Sequence, residues 1–435
     1  MPAKCDSGSV PQNIWGRRDF LKIGSLTGLG MSLRDAFAAS EGVGPKDERS
    51  VILLWLNGGP AQMDTFDMKP EADRDIRGPF KPIKTNVPGM TICEHLPRVA
   101  RVADKYAVVR SMNSPIIEHR DAAGLAITGY RPLPSLVFPS FGSVIAKEKG
   151  VRNGMPPYVT IPQSFPAGGS GFLGGEYGPF IAGDPNTAGY KVRDLGVPLD
   201  TDWTRLGHRQ ALLKQLDSQV RNMDAEAEFN TLDKFYEKAY NLMRTPRVEK
   251  AFAVHEESEE TRNAYGRTPF GQGCMLARRL VESGVRFVTV AKGYLEWDTH
   301  TEHFPRNESL LLPEFDRAFS GLLIDLDQRG LLKNTLVVAM GEFGRTPKVN
   351  YLGGRDHWGS AFSAVFAGAG VVGGQNIGET DGSAAMVKDY PCTLEDLIAT
   401  VYDRVGIDST KELQTPIGRP VRLSNGGQVI KKLFS

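Results

Sequence analysis

Cysteine is scarce, with four in 435 residues, and none has the close spacing of a thiolate metal site. Cys5 lies near the N-terminus, and Cys93, Cys274 and Cys392 remain, an odd number that allows at most one internal disulfide. The chain is therefore no disulfide-stapled scaffold. An excess of one charge is also lacking. The 52 basic and 51 acidic side chains leave a formal charge of +1, so nothing global points to nucleic acid or to an anionic membrane surface, and selectivity must come from a site. No run approaches the roughly 20 apolar residues that a membrane span needs, and repeats and low-complexity tracts are absent. What is present is an ordinary globular composition, 40% hydrophobic and 24% charged, long enough for one large α/β domain or two smaller ones.

The N-terminus departs from this composition. Gly16-Arg17-Arg18-Asp19-Phe20-Leu21-Lys22 precedes a weakly apolar, glycine-rich run and then Ala36-Phe37-Ala38-Ala39. That order resembles a twin-arginine export signal with a small-residue cleavage site, here residues 1–39. An amphipathic N-terminal helix is the other reading. Export by this route would carry a folded protein, already loaded with metal, past the twin-arginine translocase to the periplasm or beyond. Loss of the signal leaves a net charge of about −1.

Residues 48–435 read as one domain. The apolar run at 50–57 ends in Gly58-Gly59-Pro60 and predicts a central strand feeding a tight loop. A second strand is expected over 106–112, with helices over 121–128 and 140–149. Residues 150–200 are so rich in glycine and proline that a long ordered loop without regular elements is expected. Charged outer helices follow from about 203 to 259, with apolar spacing from Leu212 to Tyr240. The last third alternates: helix 271–283, strand 285–291, helix 309–329, strand 335–340, strand 361–367, helix 393–405. Helices alternating with short apolar strands predict an α/β fold with a mainly parallel sheet covered on both faces.

Ligand-type residues gather at the ends of the expected strands, where open α/β sheets bind ligands. After strand 285–291 comes Glu296-Trp297-Asp298-Thr299-His300-Thr301-Glu302-His303. Asp298 and His300 point the same way in an extended segment and could meet one divalent ion, or could simply hydrogen-bond to each other. After strand 335–340 come Glu342, Arg345, Asp356 and His357. Oxygen and nitrogen ligands without cysteine suit Zn²⁺, Mn²⁺ or similar ions. Adjacent Asp356 and His357 diverge, so they would serve two ions or one would act from behind the other. Glu342 and Arg345 could instead form a buried salt bridge. Glu118-His119-Arg120-Asp121 sits just before the helix ending at Thr128-Gly129; an anion could rest there with Arg120 nearby, or His119 could be structural. Asp64, in the first loop, is either a ligand or a turn cap.

Taken together, residues 56–70 (LNGGPAQMDTFDMKP), 119–132, WDTH at 297–300, GEFGRTP at 341–347 and GRDHWG at 354–359 resemble the bacterial domain-of-unknown-function family fifteen-oh-one. The resemblance spans the mature chain. It implies membership of the alkaline phosphatase and sulfatase superfamily, metal-dependent hydrolases of phosphate and sulfate esters on a three-layer α/β/α sandwich with a large, mostly parallel sheet. Residues 119–129 look like the sulfatase signature aligned on Thr128-Gly129. His119 then stands where a sulfatase carries its nucleophile, and the signature's arginine falls on Ala123, missing or replaced by Arg120. A superfamily metal-binding Asp falls near Asn57, with Asp64 as its substitute. Asp298 and His300 are similar to the Asp-His pair of the first metal site, Glu342 to an Asp of the second, and His357 to the late His ligand.

The resulting expectation is an exported metal-dependent hydrolase of a small-molecule or glycan phosphate or sulfate ester. Asp64, Asp298, His300, Glu342, Asp356 and His357 would hold Zn or Mn, with Ca or Mg as further candidates. Arg120 and Arg345 would grip the anion. Covalent transfer through Ser, Thr or Cys has no support. His119 would face the reacting group and be itself phosphorylated, serve as a ligand or act as general acid, the last two favoured because a metal-bound hydroxide can attack directly. The alternative is a non-catalytic exported binding or assembly protein that retains the fold.

Overall fold

The computed structural model describes residues 46–164, 167–192, 246–293 and 295–435. The expected export signal and the helices expected from Leu212 to Tyr240 lie outside these residues. Nine strands form one sheet: β1 Ser50–Leu56, β2 Tyr106–Asn113, β3 Tyr158–Ile161, β4 Phe180–Ile181, β5 Phe287–Lys292, β6 Thr335–Met340, β7 Phe362–Ala367, β8 Gln375–Ile377 and β9 Cys392–Thr393. Their order is β8-β2-β7-β6-β1-β5-β3-β4, and β9 also pairs with β2. Every pairing is parallel except those of β7, which runs antiparallel to both β2 and β6.

Every residue of β1 and β6 is buried. Such continuous apolar strands arise because helices cover both faces of the sheet. Ile52, Leu54 and Leu56 of β1 face one core with helices α3 (Pro269–Ser283) and α4 (Leu312–Gln328). Val51, Leu53 and Trp55 face the other core, with α1 (His119–Thr128), α2 (Phe141–Lys149) and α5 (Leu394–Arg404). Alternation of period two along β1 therefore separates the two helical layers. Each fully buried large side chain in these layers stabilises the fold by roughly 1.5–3 kcal/mol.

The ends of the helices have local causes. Thr393 and Asp396 form a reciprocal capping box at the start of α5. Thr268 caps α3, with Pro269 in the first turn. Gly129 ends α1 in the left-handed region at φ 77°, where a side chain would be strained.

One expectation fails at 150–200, where β3 and β4 enter the sheet. The β-branched, aromatic run Tyr158–Ile161 is short enough to be masked by its glycine- and proline-rich surroundings, but its pairing with β5 supplies the partners that local composition does not. β8 and β9 were likewise too short to be expected. No helix among the described residues is long and apolar enough to cross a membrane.

Register places the site. Leu56 pairs with Lys292 and Trp55 with Met340, so β1, β5 and β6 finish side by side. The loops at 57, 293 and 341 consequently leave from one edge of the sheet.

Candidate metal centre

The loop after β5 is conformationally constrained. Leu295 and Glu302 both adopt left-handed backbone, at φ 52° and 48°, a conformation that costs a non-glycine residue about 1 kcal/mol or more and persists only where its surroundings enforce it. Between them Asp298 and His300 approach each other, with His300 Nε2 3.0 Å from Asp298 Oδ1. The loop after β6 makes a small antiparallel pairing of His357 with Arg345. This brings His357 Nε2 to 3.2 Å from Asp298 Oδ1 and 2.9 Å from His300 Nε2. From the start of α1, His119 Nε2 reaches to 3.2 Å from Asp298 Oδ2.

The three imidazoles share one orientation. Nδ1 of His119 is 2.6 Å from Glu342 Oε1, Nδ1 of His300 is 2.6 Å from Asp356 Oδ1, and Nδ1 of His357 is 2.7 Å from the Ile117 carbonyl. An oxygen acceptor at Nδ1 selects the tautomer that carries its proton there, which turns the Nε2 lone pair toward Asp298. The ring of Phe343 packs against His119 and His357, with centroids 5.0 and 4.7 Å away, and covers one side of the cluster with apolar surface.

Electrostatics follows from this geometry. Burial works against the His119 imidazolium, but the carboxylates of Asp298 and Glu342 prevail and raise its pKa to about 9. Burial works against the Asp298 carboxylate, yet His119, His357 and Arg345 hold its pKa far below the usual range.

The donors fit a divalent cation. Ligand atoms of His119, Asp298 and His357 all lie within 4.8 Å of one another. His300 Nε2 adjoins the same group. Imidazole nitrogens with one carboxylate suit ions such as Zn²⁺ or Mn²⁺.

The remaining expected site residues occupy different places. Glu342 is fully buried, bound to His119 and to the Gly58 amide at 2.9 and 3.2 Å. Asp356 reaches the cluster through His300. Arg345 does not pair with Glu342. It is fully buried, and its guanidinium donates to the carbonyls of Gly58, Gly59 and Arg355 and to Asp298 Oδ1 at 2.6 Å. Its donors are thus committed to holding the loops and Asp298, which leaves it poorly placed to grip a substrate anion. Arg120 is exposed and makes no ion pair among the described residues.

Asp64 is not brought to the three imidazoles. Arg355 donates to it at 2.6 and 3.2 Å and His303 Nε2 at 2.8 Å, all of these groups being buried. Arg355 opposes burial and lowers the Asp64 pKa, and His303 assists. Burial lowers the pKa of His303 itself. The neutral ring donates from Nε2 to Asp64 and accepts at Nδ1 from the Thr299 hydroxyl at 2.5 Å. A five-residue π-helix at Asn307–Leu311 sets Asn307 against the same ring. Sequence reasoning missed the roles of His303 and Arg355. The one signal was that both lie within the same two loops as the expected ligands.

Gly58 explains the close approach of the loops. At φ 112° it sits where a Cβ would lie 2.4 Å from the Asp298 amide nitrogen, so only glycine lets β1 end against this loop.

Residues 48–434 match the family described as "Protein of unknown function (DUF1501)". No curated protein matches the chain. Among solved structures, the chain is similar to the PsFucS1 sulfatase of Pseudoalteromonas sp., with TM-score 0.39 and 14% identity over 92% of this chain and 72% of that one. It is also similar to a phosphonate monoester hydrolase of Silicibacter pomeroyi, with TM-score 0.34 and 13% identity over 89% and 76%. For an alkaline phosphatase of the Antarctic bacterium TAB5 the values are 0.30 and 13% over 77% and 95%. At these scores none bears on what this chain does, and the α/β assignment rests on the sheet and its two helical layers.

Proposed function

We propose that this chain, which belongs to the DUF1501 family, is an exported metal-dependent hydrolase of phosphate or sulfate esters. The observation that supports this reading is the convergence of three imidazole Nε2 atoms on the Asp298 carboxylate, each ring fixed from behind by an oxygen acceptor. Asp298, His119, His300 and His357 would hold the ion, Zn²⁺ or Mn²⁺ by donor type. A divalent ion bound there supplies positive charge that stabilises negative charge developing on a phosphoryl or sulfuryl oxygen.

The chain's own residues prepare for this chemistry. Glu342 orients His119 and Asp356 orients His300, so neither ring can turn without losing a charge-assisted hydrogen bond. Arg345 fixes one oxygen of Asp298. Phe343 keeps water from one side of the cluster, which strengthens electrostatic interactions inside it. Arg120, exposed and adjacent in sequence to His119, would attract the ester's anionic group. Export by the twin-arginine route belongs to the same reading and rests on residues 1–39 alone.

A direct test measures bound metal in the purified protein and turnover of aryl phosphate, phosphodiester and sulfate esters with several divalent ions. One bound ion, absent from Asp298→Ala plus His300→Ala, and turnover lost in His119→Ala are expected. Metal that survives the double substitution would overturn the ligand assignment. Bound metal without turnover of any ester would favour the second reading, a non-catalytic binding or assembly protein. The commitment of Arg345 to carbonyls and Asp298 is the observation that favours this alternative.

A further inference from the structure

We propose that the turn at 350–354 is the subsite for the alcohol part of the ester, with the Tyr351 ring stacking on an apolar ring face of the substrate. This rests on the ester-hydrolase reading of the neighbouring centre. Tyr351 is 94% exposed and Leu352 50% exposed, although both are large apolar groups that folding ordinarily withdraws from water.

The turn that carries them is held firmly. The Asn350 side chain accepts from the amides of Leu352 and Gly354, each at 2.9 Å. It donates to the His300 carbonyl at 3.0 Å and to Asp356 Oδ1 at 3.1 Å. The Asn350 amide donates to the Gly354 carbonyl at 2.8 Å, and Gly353 pairs with Thr301. A rigid aromatic presented this way binds with little loss of conformational entropy, because its backbone is already ordered and its side chain has only two torsions.

Its position relates it to the centre. A continuous chain of polar contacts runs from the Ile117 carbonyl through His357, His300 and Asp356 to Asn350. At one end stands Ile117, 51% exposed, and at the other Tyr351 and Leu352. Exposed apolar residues therefore adjoin both ends of this chain of polar contacts. That distribution suits an amphipathic ester, whose charged group meets the cluster while its carbon skeleton lies on the rim. A lone anion would gain nothing from the rim. The shared chemistry is an apolar ring face, the C–H face of a pyranoside or the π face of an aryl alcohol.

Calorimetric titration of the full chain loaded with Zn²⁺ or Mn²⁺ tests this. The probes are glucose 6-phosphate, 4-nitrophenyl phosphate and methyl phosphate, together with the corresponding sulfates. At least one ring-bearing ester should bind about tenfold more tightly than its methyl counterpart, the scale of one aromatic contact. Tyr351→Ala should abolish that advantage, Tyr351→Phe should keep it, and methyl ester binding should not change. The ring ester that responds identifies the sugar or aryl source. If ring and methyl esters all bind and Tyr351→Ala alters neither, the subsite is overturned while the ester reading stands. If no ester binds the metal-loaded protein, both fall. A folding defect will not confuse the result, because substitutions at so exposed a position typically change stability by about 0.5 kcal/mol or less.

Discussion

His300 and His357 face each other with their Nε2 atoms 2.9 Å apart, while the Nδ1 atom of each is bound to an oxygen. Two imidazole lone pairs at that distance repel unless a cation lies with them. The partner can be a proton or a metal ion, and Asp298 beside them adds the negative charge that favours either. This competition makes the centre sensitive to the groups behind it.

Glu342 supports His119 from the buried side. Glu342→Gln keeps the shape and removes the charge, so metal affinity should fall by about 10–100-fold, the usual effect of losing a partner of a ligating histidine. Competition titration with a metal indicator reads the change. An unaltered affinity would show that His119 is not a ligand.

Arg345 should behave as a structural group. Arg345→Met strands the Asp298 carboxylate and three carbonyls, and loss of one partner from a buried pair costs about 3–5 kcal/mol. Denaturant unfolding should therefore show a lower midpoint, and substrate affinity per folded, metal-loaded molecule should stay the same. Arg120→Ala is expected to do the reverse, weakening binding of inorganic phosphate with unfolding unaffected.

Gly58→Ala should damage both stability and metal binding. The added Cβ meets the Asp298 amide at 2.4 Å in a backbone region closed to side chains. Unfolding and metal content measured together should fall together, whereas alanine at exposed Gly382, which has open space around it, should leave both unchanged.

His303 predicts the acid limb of stability. Burial lowers its pKa in the folded state, so the unfolded chain takes up a proton there first as the pH falls. Its contribution is fully present above the unfolded value of about 6.5 and is lost below it, down to the depressed folded value. Thermal unfolding of the metal-free protein should therefore weaken from about pH 6.5 downward, and His303→Gln should flatten that slope.

Much of the framework was legible in residue order. Thr335–Met340 reads as a strand because its apolar, β-branched run is fully buried, and β6 has those bounds. WDTH and GRDHWG stood out because ligand-type side chains follow such strands. The insertion of β3 was not legible, since Tyr158–Ile161 becomes a strand by pairing with β5, more than a hundred residues later. Nor could spacing separate Asp64 from the proposed ligands. Arg355, its partner, lies 291 residues away, and the alternatives of turn cap and metal ligand both omitted a buried ion pair.

The sequence by itself determined where polar groups leave the sheet, because apolar periodicity and the glycines that end elements act over a few residues. Tertiary structure alone decided what those groups do. The inward turn of His119 depends on Glu342, 223 residues away, and the withdrawal of Arg345 from solvent depends on Gly58, 287 residues away. Tautomer, charge and availability are set by whichever partner lies within about 3 Å, and only the folded chain brings those partners together.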